Sequence, residues 1–183
     1  HALAAYRLGD STARLFGRLT LDPRAHFDPI GGLMLIVSVL FAGFGFGWAK
    51  PTPVNPANLR DRRNGEVFVA LAGPASNFLM AVAGAFVYRV LDTAGVELRI
   101  GLLGYVLYLF VLYNVVLAIF NFLPVPPLDG STLLYRVLTP RQAWQIRPFL
   151  TQYGIFLVLA VVLLLSRPLS VVIYGVTDAL VGA

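Results

Sequence analysis

Residues 100–130 read IGLLGYVLYLFVLYNVVLAIFNFLPVPPLDG. The run Ile100–Phe122 carries no charge. A helix needs roughly 20 apolar residues to cross about 30 Å of hydrocarbon, so this run is long enough to span. Its end is abrupt. Pro124, Pro126 and Pro127 put three prolines in four positions, and a helix cannot continue through them. They hold the chain extended, and Gly130 permits a tight turn before Ser131 opens the next helix. The arrangement presents one carboxylate, Asp129, at the mouth of a spanning helix. Ionisable residues next to membrane segments are costly and are functional candidates by default.

The rest of the chain supports a membrane setting. It has 183 residues, of which 58% are hydrophobic and 13% charged, and its mean hydropathy is +0.77. A soluble domain is nearer half apolar and a quarter charged, so the surplus apolar surface needs lipid. Two further runs are long enough to span, Val67–Val90 and Phe149–Ser166. Pro168 stops the latter, and 169–181 can form a final short helix. The net charge of +5 sits on arginines that flank apolar runs. That placement favours anionic lipid headgroups over nucleic acid. With no cysteine there is no thiolate site. The expected fold is an all-α polytopic bundle.

The segment 30–48 is long enough to span but poor in helix formers, because its second half reads Gly43-Phe-Gly45-Phe-Gly47. If it spans, the basic residues divide seven against seven; if it re-enters, they divide eleven against three. Spanning proteins show such an imbalance, with the basic side cytoplasmic. The re-entrant reading is therefore favoured, with 7–66 and 123–148 on the cytoplasmic side of a multi-pass plasma-membrane protein. Residues 11–29 change character. Ala13–Leu21 alternates arginine with apolar residues and reads as a short strand or hairpin, while Asp22-Pro23 and Asp28-Pro29 read as turns. No repeat and no appended soluble domain is visible, so 1–183 is read as one membrane-embedded domain, truncated at its N-terminus. Residues 1–6 form the end of a helix that begins upstream.

His1 and Asp129 fall near the same cytoplasmic side in this topology, and a histidine and an aspartate brought together there are suitable zinc ligands. The motifs go further. Asn-x-x-Pro-x-Pro-x-Leu-Asp-Gly at 121–130 resembles the second metal motif of the site-2 protease family. His1-Ala-Leu-Ala-Ala-Tyr-Arg-Leu-Gly-Asp10 resembles the same family's sequence from the second histidine of its His-Glu-x-x-His motif onward. Ala72-Gly73-Pro74-Ala75-Ser76-Asn77 resembles its small-residue motif. The order and spacing of the three make the resemblance specific, and it covers nearly the whole chain.

That resemblance implies a zinc metalloprotease that cleaves membrane-spanning substrates. It implies His1 and Asp129 as metal ligands and Asn121 as a donor to the substrate backbone or the developing oxyanion. The family's first histidine and its glutamate would lie four and three residues before His1 and are absent from this sequence. The strand near 13–21 would guide an unwound substrate helix. The implied partners are a membrane-protein substrate and the bilayer, with a homo-oligomer left open.

Plainer readings stand beside these. Asn121 could cap the helix that ends near it, and Gly73 and Ser76 could simply let helices approach. His26-x-Asp28 suits a turn better than a second metal site. Two other functions compete with proteolysis. One is a catalytically incomplete relative that binds a membrane segment without cutting it. The other is a transporter, against which stands the lack of inverted repeats.

Overall fold

The computed structural model describes residues 1–42, 47–98 and 101–182, without the side chain of Ala42. The described residues are helical, with no strand among them. In chain order the helices are α1 (Ala2–Arg7), α2 (Thr12–Leu15), α3 (Pro23–His26), α4 (Pro29–Ala42), α5 (Arg62–Thr93), α6 (Leu102–Asn121), α7 (Gly130–Val137), α8 (Pro140–Leu164) and α9 (Ser166–Val181), with a 3₁₀ turn at Pro56–Asn58. Helices α5, α6 and α8 are each long and apolar enough to cross a membrane. The protein is a membrane protein of helical class, as its composition requires.

The expected strand over 13–21 is absent. Thr12–Leu15 is a helical turn instead, and Gly17 follows with φ +66°. The cause is local. The Thr12 amide and hydroxyl both donate to the Asp10 carboxylate, which starts a helix rather than a strand. The backbone then reverses at a glycine that tolerates the left-handed region. The turns at 22 and 28 are as expected: Asp22 caps α3 through the Arg24 amide, and Asp28 accepts from the Ile30 and Gly31 amides at the start of α4.

The chain forms two compact units, 1–69 and 70–183, and α5 runs through their boundary. In the first unit a small apolar cluster of Ala5, Leu59 and Val69 lies beside a polar hub. Asp10, fully buried, accepts hydrogen bonds from the Thr12 amide and hydroxyl, the Asn55 amide (2.7 Å) and the Asn58 side-chain amide (3.1 Å). Burial by itself would raise the Asp10 carboxyl. These donors more than offset it and hold the pKa at about 2. Helix α4 has 14 residues, or roughly 21 Å, less than the hydrocarbon thickness. The chain beyond it comes back: the Lys50 amide donates to the His26 carbonyl at 2.9 Å, and a Cβ at Gly31 would overlap the Trp48 carbonyl. The glycine-rich part of the 30–48 segment, 43–46, lies outside the described residues, as do Arg99 and Ile100.

The second unit is built on apolar contacts. Ala81 and Ala85 of α5, Val111 and Val115 of α6, and Ile173 and Val181 of α9 form its core. The spacing of Ile173, Thr177 and Val181, all buried, lays one face of α9 inward. The Thr177 hydroxyl is satisfied by the Ile173 carbonyl. The Arg89 guanidinium donates to the Ala179 and Leu180 carbonyls at the end of α9, each at 2.6 Å. Helix α8 begins nine residues before the apolar run that starts at Phe149. Thr139 and Gln142 form a reciprocal capping box there, with Pro140 in the first turn. The helix ends at Leu164, and Pro168 falls in the first turn of α9 rather than ending α8.

Candidate metal centre

Helix α6 carries its apolar run to Asn121, and the motif loop begins at once. Short turns close it: the Val125 amide donates to the Leu123 carbonyl (2.8 Å), Leu128 to Val125 (3.0 Å) and Ser131 to Leu128 (3.1 Å). Gly130 is buried. A Cβ there would stand 2.5 Å from the Leu123 carbonyl oxygen and 2.6 Å from the Phe122 carbonyl carbon. Glycine is required at this position by lack of room. Asp129 is the residue before α7, half-buried, and its carboxylate makes no capping bond to that helix.

His1 opens α1. Its Nδ1 lies 2.8 Å from the Val69 carbonyl oxygen. A carbonyl only accepts, so Nδ1 carries a proton, and in the neutral imidazole the lone pair is then on Nε2. Metal-binding histidines are commonly oriented in this way, by a carbonyl on the far ring nitrogen. Sequence reasoning did not identify Val69, because a backbone acceptor leaves no side-chain signature. His1 belongs to the first unit and Asp129 to the second.

Asn121 is partly exposed, and its side-chain amide donates to the Leu117 carbonyl at 2.9 Å. That bond uses one of its two N–H donors. His26 is engaged elsewhere: its Nε2 lies 3.0 Å from the Thr20 carbonyl. With Asp28 capping α4, the His26-x-Asp28 pair is a turn. Ser76 donates to the Gly73 carbonyl one turn back, and α5 continues through a buried Pro74. Among the described residues no three histidine, cysteine, aspartate or glutamate side chains gather as a metal cluster. Taken singly, the His1 imidazole, oriented through its Nδ1, and the Asp129 carboxylate are each of a kind that binds zinc.

Fold and site define a multi-pass helical membrane protein that carries a proline-framed carboxylate at the end of a span. Comparison with known proteins gives the family. The model of peptidase family M50 matches residues 90–165. YwhC of Bacillus subtilis, a zinc metalloprotease by provisional name, is 38% identical over 88% of this chain and 73% of its own length. Rip2 of Mycolicibacterium smegmatis, with the same provisional designation, is 31% identical over 93% of this chain and 62% of its own length. Rip2 of Mycobacterium tuberculosis is 32% identical over 96% of this chain and 64% of its own. No solved structure matches. The chain belongs to peptidase family M50, the site-2 proteases. It spans under two thirds of the length of the Rip2 proteins.

Proposed function

We propose that the protein is a zinc-dependent intramembrane protease that hydrolyses a peptide bond of a membrane-spanning substrate, with its site toward the cytoplasm. The observation that carries this reading is the motif loop. Asn121 and Asp129 close a span-length helix in a chain whose relatives are named for zinc metalloprotease activity. In this reading His1 Nε2 and the Asp129 carboxylate are two protein ligands, and the third lies upstream of His1.

When bound, zinc supplies Lewis-acid activation of water and of the scissile carbonyl. The chain's own groups do the rest. The Val69 carbonyl holds the His1 ring in the tautomer that presents Nε2. The proline loop fixes Asp129. Asn121, by turning its amide from the Leu117 carbonyl, donates to the oxygen that gains charge as water adds. One such donor is worth about 3 kcal/mol, or a hundredfold in rate. The glutamate that would take the water proton and return it to the leaving amine lies, by the family's pattern, before His1 and outside this sequence. The return of residues 47–50 to the base of α4 supports a hairpin that enters and leaves the membrane on one side. The uneven basic count supports the same topology.

The test is metal content and cleavage in the protein expressed with the residues its gene places before His1. One zinc per chain, lost together with cleavage in Asp129→Asn and His1→Ala, is the expected result. A zinc-free wild type sinks the reading, and a zinc-loaded wild type that binds but never cuts a membrane substrate leaves a binding protein instead.

A further inference from the structure

Helix α8 has 25 residues, and the buried one is Gly154. Only 6% of its apolar stretch lies inside the protein. A Cβ built on Gly154 would overlap the Pro126 carbonyl oxygen, and it would stand 2.9 Å from the Pro126 carbonyl carbon and 3.5 Å from the Pro126 Cβ. Real Cβ atoms essentially never approach so closely, so α8 meets the motif loop backbone to backbone. At the loop's other end Gly130 admits no Cβ either. The loop is thus seated at two points, on α8 at Pro126 and on its own first residues at Gly130.

Asp129 stands three residues beyond Pro126, with little slack between. Pro127 has a fixed φ, the Leu128 amide is tied to the Val125 carbonyl, and the Ser131 hydroxyl and amide are both tied to the Leu128 carbonyl. A displacement of the Pro126 carbonyl therefore passes along the chain to the carboxylate instead of being absorbed. Small residues in membrane helices usually serve helix–helix approach. Gly154 differs, because its neighbour is the loop that carries the charged group.

We infer that Gly154 is a positioning residue, the seat on α8 that sets where the Asp129 carboxylate stands. The inference rests on the zinc reading above and adds to it a residue outside the family motifs. A methyl at 154 must push the loop or tilt the helix, by an ångström or so. A metal ligand tolerates far less, since productive sites are held within about 0.5 Å.

The experiment compares wild type, Gly154→Ala and Gly175→Ala in the full-length protein. Gly175 lies in α9 with nothing within 4 Å of a built Cβ, so it takes the same methyl into open space. Zinc affinity is measured by chelator competition, and the visible spectrum of the cobalt-substituted protein reports ligand geometry. Gly154→Ala is expected to weaken zinc at least tenfold and to shift the cobalt spectrum, with Gly175→Ala like wild type. If Gly154→Ala fails to fold, refolding is followed against added zinc. Recovery supports the inference, because mass action offsets a weakened site. No recovery at saturating zinc overturns it. Wild-type zinc affinity in Gly154→Ala overturns the positioning role alone, whereas a zinc-free wild type overturns the metal reading and the role with it.

Discussion

The two units of this chain are held together by different physics. In residues 1–69 the organising centre is one buried charge, Asp10, whose carboxylate accepts from residues two, 45 and 48 positions away. In residues 70–183 it is a set of small apolar side chains shared by α5, α6 and α9. Hydrogen bonds to a buried charge are strong, directional and fail together when the acceptor is lost. Apolar packing is non-directional and fails by increments. The first unit should therefore be brittle and the second forgiving.

The sharpest break in that contrast is Asp10→Ala. It leaves the Asn55 amide and the Asn58 and Thr12 donors without their acceptor. We expect a loss of about 3 kcal/mol confined to the first unit. Hydrogen exchange in detergent should show lost protection at residues 55–60 and none at 81–85. Uniform loss across both units would erase the distinction.

Acid should reproduce part of that loss. The Asp10 pKa is depressed from the ordinary 3.8 to about 2 in the folded chain. Its stabilisation is therefore complete above about pH 4 and disappears as pH falls toward 2. The amount is about 2 kcal/mol for a shift of this size. Exchange at 55–60 should rise over that window in wild type, and the rise should be missing in Asp10→Ala.

The smallest effect belongs to the second unit. Val111 is fully buried in its core, yet Val111→Ala removes only two methyls. The expected cost is about 1 kcal/mol, read as a modest fall in the thermal midpoint with zinc content unchanged. A loss as large as that of Asp10→Ala would refute the claim that this unit yields by increments.

These contrasts also explain what the sequence revealed. Span α6 was legible almost to the residue, 100–122 expected against 102–121 observed, because length and hydropathy are local properties. That α6 ends and a loop follows was legible because a helix cannot continue through three prolines; the form of the loop was not, since it was read as extended and closes instead in short turns through the Leu123, Val125 and Leu128 carbonyls. The start of α8 was missed although Thr139-Pro140-Arg141-Gln142 spells a capping box, because the apolar stretch begins later and drew the boundary. The strand over 13–21 failed because a period of two in arginine and apolar residues was outweighed by Asp10, whose side chain starts a helical turn at Thr12. The hub itself was invisible, since its partners at 55 and 58 come together only through the tertiary fold. Gly154 was invisible for the same reason: a glycine in an apolar helix says nothing about what approaches it.

Arg89 gives the second unit a direction in time. Its side chain near the end of α5 holds the Ala179 and Leu180 carbonyls, some ninety residues further on. A ribosome adds roughly 5–20 residues per second, so that guanidinium waits for seconds before its acceptors exist. Until α9 arrives, the charge must be met by water or lipid phosphate at the bilayer rim, and the inward faces of α5 and α6 have no third helix to complete their core. In the second unit, then, α9 is made after α5 and α6 and completes the core that those two helices begin.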